Sequence, residues 1–264
     1  MSLVKRNMQI YCCLFVCILL SSADAIAIDE DFVNAAGQPL TIAVIGTGRV
    51  GGALGPRFAQ LGITVIYGSR DPNRESVRQL VARTGNNAIA RSQKEAAKLA
   101  DWVLLAVPWK AVDALLQEIG PMLGDKIVID ATNALRIGDD GLMAMAVESS
   151  AGQIIQSSVP DAKLVKAFNT MGFHVMAEPA AAGGPVSVPI VGDDVDAKIA
   201  VASLVTALGF DPVDVGPIRH AHATEQMAIL YMVPYMSGNS AEQFEFYFRK
   251  GTGPALSEGV RPAE

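Results

Sequence analysis

No cysteine occurs after Cys17 in this 264-residue chain, and the three present, Cys12, Cys13 and Cys17, sit in one apolar run near the N-terminus. Disulfide frameworks, thiolate metal sites and cysteine nucleophiles are thereby excluded from the remainder. Histidine is nearly as scarce, with only His174, His220 and His222. His220 and His222 are two apart, which on a helix does not put them on one face, and no other thiol or imidazole lies near in sequence, so no metal site is expected. Runs of lysine or arginine are also missing. With a net charge of −6 and a pI near 5.1, the chain lacks the basic footprint that nucleic-acid binding needs. Gly and Pro (24 and 14 residues) are in no great excess, half the chain is apolar and 18% is charged, which is the balance of a folded protein and not of a disordered one.

Long apolar runs are absent as well. Ile10 to Leu20, eleven residues, is too short to span a bilayer. It follows Lys5 and Arg6 and precedes Ser21-Ser22-Ala23-Asp24-Ala25, so residues 1–25 have the three parts of a secretory signal, with cleavage after Ala25. The other readings are an uncleaved anchor and a start codon set too early. Export would place the protein in the periplasm or outside the cell; an unused leader would leave it in the cytoplasm. No membrane-spanning segment is expected beyond the leader.

From Thr41 onward short apolar runs alternate with helical stretches. Strands are expected at Thr41–Gly46, Thr64–Gly68, Ala88–Ala90, Trp102–Val107, Lys126–Asp130, Leu164–Phe168, Val186–Val191 and Phe210–Val215. Helices are expected at Val50–Leu61, Arg74–Arg83, Ser92–Leu99, Lys110–Glu118, Met143–Gln156, Val195–Leu208 and His220–Arg249. Strands separated by helices of about ten residues predict a parallel sheet with helical crossovers. Runs such as Val103-Leu104-Leu105-Ala106-Val107 predict a sheet covered on both faces. Glu178–Pro185 reads as a loop, either beside the site or a plain surface connection, and 251–264 as a disordered tail.

Gly46-Thr47-Gly48-Arg49-Val50-Gly51 directly follows the first strand and opens the first helix. In that setting Gly46 permits a tight turn, Gly48 lets the backbone approach a pyrophosphate, and Gly51 lets helix press on sheet. Free amides and the positive dipole end hold the anion. The fold class expected is α/β, a Rossmann-type doubly wound parallel sheet, over residues 40–171, with a small C-terminal α/β extension, residues 172–250, ending in a long helix. The second strand ends Tyr67-Gly68-Ser69-Arg70. No carboxylate stands there to hold a ribose 2′-hydroxyl; Ser69 and Arg70 suit a 2′-phosphate, so NADP(H) is expected over NAD.

Ile42 to Asp71, with Ala106-Val107-Pro108, Lys166-Ala167-Phe168-Asn169-Thr170, Gly192-Asp193-Asp194, Leu208 to Gly216 and Glu225, resembles the NADPH-dependent coenzyme F-420 reductases and the oxidoreductase domain of the six-transmembrane epithelial antigen metalloreductases, while Asp130-Ala131-Thr132-Asn133-Ala134 is closer to the metalloreductase pattern than to that of the deazaflavin reductases. The resemblance implies hydride transfer between NADPH and a small-molecule redox acceptor, a deazaflavin (coenzyme F-420) or a flavin. It implies that Ala106 is among the cofactor-binding residues and that Val107 and Pro108 lie along the nicotinamide ribose, with Asn133 and Asn169 bonding to ribose or carboxamide; the alternative is that both asparagines bond only to loop backbone. His174, four residues past Thr170, could bond to the acceptor or supply a proton. The other function readings are a soluble ferric or cupric reductase working through flavin, and a non-enzymatic NADP(H) sensor. Met227, Leu230, Met232, Val233 and Met236 have the spacing of an apolar helix face, for core or for a homodimer contact.

Overall fold

In a computed structural model, which describes residues 32–236, 244–249 and 251, the apolar runs become the strands of one sheet. Thr41–Ile45 (β1), Arg49–Gln60 (α1), Thr64–Ser69 (β2), Glu75–Thr84 (α2), Ile89–Ser92 (β3) and Gln93–Leu99 (α3) make the first half. Trp102–Leu105 (β4), Val112–Ile119 (α4) and Ile127–Asp130 (β5) return on the other side of β1. Leu135–Ile137 (β6) and Met143–Met145 (β7) form a separate hairpin, followed by Ala151–Ser158 (α5), Lys163–Lys166 (β8) and Phe173–Ala177 (α6). Ser187–Gly192 (β9), Val195–Ala207 (α7), Asp211–Asp214 (β10) and Ala221–Met236 (α8) complete the described elements.

The strand order is β10-β9-β8-β5-β4-β1-β2-β3. From β3 to β8 every pair is parallel, while β9 joins β8 antiparallel and β10 runs parallel with β9. This is a Rossmann-type sheet, and its winding reverses between β1 and β4, so the binding crevice falls beyond the carboxyl ends of those strands. Val103, Leu104 and Leu105 are fully buried because helices cover both faces. Leu54 and Phe58 of α1 share one apolar layer with Val201 and Leu204 of α7. Ala96 and Ala97 of α3, Leu115 and Ile119 of α4 and Ile155 of α5 fill the other. Each of these larger side chains contributes roughly 1.5–3 kcal/mol of transfer free energy on burial.

Two helices expected from the pattern differ. Met143–Gln156 is not one helix, because Gly138 and Gly141 close a turn, with Gly138 N donating to Leu142 O at 2.7 Å, and Met143–Met145 pairs as β7. The helix starts only after Ser150, whose hydroxyl caps the Gln153 amide. The stretch His220–Arg249 is helical only at Ala221–Met236 among the described residues. Phe244–Arg249 is a non-helical strap laid on β9: Ser187 N donates to Phe246 O at 2.8 Å and Phe248 N to Ser187 Oγ at 3.0 Å. Ser237-Gly238-Asn239-Ser240, a run of poor helix formers, separates the two in sequence. Leu230, Met232, Val233 and Met236 are exposed, not core. The leader and the tail beyond Gly251 lie outside the described residues. Among the described residues no helix is long and apolar enough to cross a membrane.

Candidate functional site

The loop between β1 and α1 is built on two glycines that no other residue could replace. Gly46 has φ +112°, and a Cβ there would stand 2.3 Å from the carbonyl oxygen of Ala106. A Cβ on Gly51 would stand 2.0 Å from the Gly46 carbonyl oxygen, so α1 can rest against the strand end only without one. Gly48 differs: its Cβ would meet nothing within 4 Å, leaving clear space for a ligand to approach the backbone. No side chain caps α1 and no acidic residue stands in its first turn. The opening amides around Gly48, Arg49 and Val50, with the dipole behind them, are therefore placed where they could hold an anion.

Around this loop the structure places the other expected residues. Ala106, Val107 and Pro108 follow β4, directly across from Gly46, with Val107 Cγ1 3.2 Å from the Gly46 Cβ position. Ser69 ends β2 buried, its hydroxyl donating to the Asp71 carbonyl at 3.0 Å and accepting from the Asp71 amide at 3.2 Å. Arg70 is exposed, and its guanidinium is in no ion pair among the described residues, Asp71 included. A second cation, absent from the sequence-based set, joins it: Arg74 Nη2 donates to Thr47 Oγ1 at 3.3 Å. Arg74 lies at the start of α2, four residues past Arg70, and that repeat of charge beside the strand end was its signal. Arg49 reaches the other way and lies 5.2 Å from the centroid of the Phe173 ring.

Asn133 and Asn169 are tied together. Asn169 Nδ2 donates to Asn133 Oδ1 and to Thr224 O, and Asn133 Nδ2 donates to Asn169 O, all at 3.0 Å. The amide hydrogens expected for a ligand are partly spent inside the protein. What remains is an acceptor: Asn169 Oδ1, like its neighbour Thr170 Oγ1, is buried with no hydrogen-bond partner among the described residues. Phe168, just before them, is buried with φ +64°, a conformation costly for a side chain with a Cβ. That turn swings Asn169 and Thr170 off the strand line.

Beneath this loop is a fully buried charge cluster. Lys166 Nζ lies 2.7 Å from Asp130 Oδ2, 3.0 Å from Glu225 Oε1 and 2.7 Å from the Thr132 carbonyl. Asp130 Oδ1 accepts from the Thr132 amide and hydroxyl, and Glu225 Oε2 from the amides of Ala134 and Ala151. The Thr132–Ala134 loop is thus fixed from below. His220 and His222 donate from Nδ1 to the carbonyls of Val215 and Ser149. Among the described residues no group of three or more His, Cys, Asp or Glu could hold a metal ion. A concavity of about 780 Å³ opens at the opposite, amino ends of the central strands, beside Asp101, Trp102 and Lys126. Chemistry is better placed at the glycine loop, because the Lys126 ammonium is consumed by the carbonyls of Ala97, Lys98 and Ala100.

Residues 41–134 match the family model described as NADP oxidoreductase, coenzyme F-420-dependent. The metalloreductase STEAP3 of Rattus norvegicus is 25% identical over 188 residues, 71% of this chain and 36% of that protein. F-420-dependent NADP reductases of Methanothermobacter thermautotrophicus and Methanocaldococcus jannaschii are 39% identical over 99 residues and 26% over 228, covering 35% and 81% of this chain. The chain spans about two fifths of the length of STEAP3 and the first of these reductases, and 96% of the second. A crystal structure of a candidate F-420-dependent NADP reductase from Arthrobacter sp. FB24 superposes with a TM-score of 0.72 at 29% identity, over 79% of this chain and 99% of that one.

Proposed function

We propose that this chain, whose residues 41–134 match the model of coenzyme F-420-dependent NADP oxidoreductases, binds NADP(H) at the glycine loop and passes hydride between it and a deazaflavin or flavin. The observation that carries the reading is the cradle itself: an uncapped α1 behind Gly48, with Arg70 and Arg74 at the end of β2 and no carboxylate in the place where one would repel a 2′-phosphate.

NADPH supplies the hydride. The chain's own part is to hold and orient: amides of Gly48 to Val50 on the pyrophosphate, Arg70 and Arg74 on the 2′-phosphate, with Ser69 shaping the turn and Thr47 bridging to Arg74. Ala106, Val107 and Pro108 form the wall along the nicotinamide ribose. Asn169 Oδ1 accepts from the carboxamide, and Asn133 holds Asn169 in that pose. Hydride transfer between two planar rings asks for stacking and exclusion of water more than for acid or base, which agrees with a chain so poor in histidine and cysteine. Deazaflavin is favoured over a membrane-coupled metal route because the alignment with the M. jannaschii reductase runs over 96% of that protein, against 36% of STEAP3. The exposed stripe of Leu230, Val233 and Met236 suits a contact between two copies.

Calorimetric titration with NADPH, NADH and 2′,5′-ADP tests the binding half. Tight NADPH and measurable 2′,5′-ADP binding with weak NADH binding are expected. Equal affinity for the two dinucleotides would remove the role given to Arg70 and Arg74.

A further inference from the structure

Behind the Asn169–Thr170 turn the structure gathers three groups that hydride chemistry alone leaves unused. A Cβ on Gly172 would stand 2.6 Å from both His174 Nδ1 and Tyr231 Oη; only glycine lets both rings close on that point of backbone. Tyr231 Oη donates to Glu245 Oε1 at 2.9 Å, which ties α8 to the Phe244–Arg249 strap. His174 Nε2 and Glu245 Oε2 are both buried without a hydrogen-bond partner among the described residues. Polar atoms are rarely left so in a settled core. The walls are aromatic: Phe244 and Phe246 lie 6.0 and 6.4 Å from the Tyr231 ring, and Phe173 lies edge-on to His174 at 5.9 Å. Phe173 and Phe244 remain 41% and 36% exposed, so the walls are open to a planar ligand. Burial raises the Glu245 carboxyl above its ordinary value, against the opposing Tyr231 bond and the charge on His174.

We propose that His174, Tyr231 and Glu245 hold the proton that balances hydride transfer on the acceptor side. The inference rests on the function proposed above. The C–H bond of the dihydronicotinamide breaks and its electron pair goes with the hydrogen to the acceptor; NADP+ remains. A ring nitrogen of the acceptor then needs one proton. The O–H bond at Glu245 Oε2 breaks while Tyr231 goes on donating to Oε1, His174 passes the proton on, an N–H bond forms on the acceptor, and a proton from bulk solvent restores the carboxyl. Arg49 on α1 is the charged group over the Phe173 wall.

With only three histidines in the chain, each imidazole can be followed by NMR in the whole protein. Riboflavin added with NADP+ is expected to move the His174 resonance and to leave His220 and His222 in place. Glu245→Gln and Tyr231→Phe, which keeps the ring packing, should each slow NADPH oxidation on the order of 100-fold at unchanged NADPH affinity. A His174 resonance indifferent to riboflavin, or wild-type turnover in both variants, would overturn the proton group alone. Wild-type protein that binds no NADPH would overturn the underlying reading and this inference with it.

Discussion

Lys166 and Asp130 stand opposite one another in register on β8 and β5 and form an ion pair of 2.7 Å, with both side chains fully buried. Glu225 of α8 closes the cluster at 3.0 Å, so one cation serves two carboxylates. A pair of this kind adds little net stability when complete, yet removing one partner strands the others in low dielectric. Lys166→Met should therefore cost about 3–5 kcal/mol in denaturant unfolding. A loss below about 1 kcal/mol would show that the two carboxylates tolerate each other without the lysine.

The cluster also reaches the site, through the Thr132 carbonyl on Lys166 and the Ala134 amide on Glu225. Asn169 reads out that support. Asn169→Ala should lower turnover by on the order of tenfold to 100-fold, as misplaced reactants do, with a smaller effect on NADPH affinity. Equal losses in both would make Asn169 a loop brace, and unchanged turnover would remove it from the reaction.

Arg70 and Arg74 are predicted to divide the 2′-phosphate between them. Arg70→Ala should weaken NADPH by about 1–3 kcal/mol, the worth of a hydrogen bond to a charged group, and leave NADH nearly unchanged. Arg74→Ala should do the same to a smaller degree, because part of its role is to bond Thr47. Equal losses for both dinucleotides, measured by titration, would assign these arginines to general folding or pyrophosphate contact.

Tyr67 gives the fold a pH limit. Its phenol lies under α1, where a Cβ on Gly55 would stand 2.2 Å from the hydroxyl, and burial pushes its pKa from 10.0 up to about 12 despite the Thr84 bond. Thr84 Oγ1 already donates to Leu80 O at 2.8 Å, so Tyr67 is the donor in its 2.6 Å bond to Thr84. The unfolded phenol ionises near pH 10 and the folded one near 12, so the folded state holds the extra proton between them. The Tyr67 contribution to stability should be constant below pH 10 and fall as pH rises from 10 to 12. Tyr67→Phe should flatten that fall in unfolding curves recorded across the window; an unaltered slope would point to another group.

The sequence carries the sheet and the glycine loop plainly, because strand burial and phosphate binding both leave dense local patterns. Gly46, Gly48 and Gly51 lie within six residues, and Val103 to Leu105 is apolar throughout. What it hides are pairings between distant segments. The Asn133–Asn169 lock spans 36 residues, and Ala134 bonds to Glu225 across 91. Met143–Gln156 misleads for a local reason: apolar spacing outweighs the quieter signals of the Gly138–Gly141 turn and the Ser150 cap. The strap at Phe244–Arg249 misleads similarly, since an aromatic-rich run mimics a helix face until Ser187 takes its backbone bonds.

The central claim is hydride transfer from NADPH at this site. Absorbance loss of NADPH should be followed with the purified protein offered coenzyme F-420 and, in parallel, FMN or FAD with a ferric chelate. Rapid oxidation with the deazaflavin, slowed in Asn169→Ala, is the predicted result. Tight NADPH binding with no oxidation by any of these acceptors would contradict it and leave a nucleotide sensor in its place.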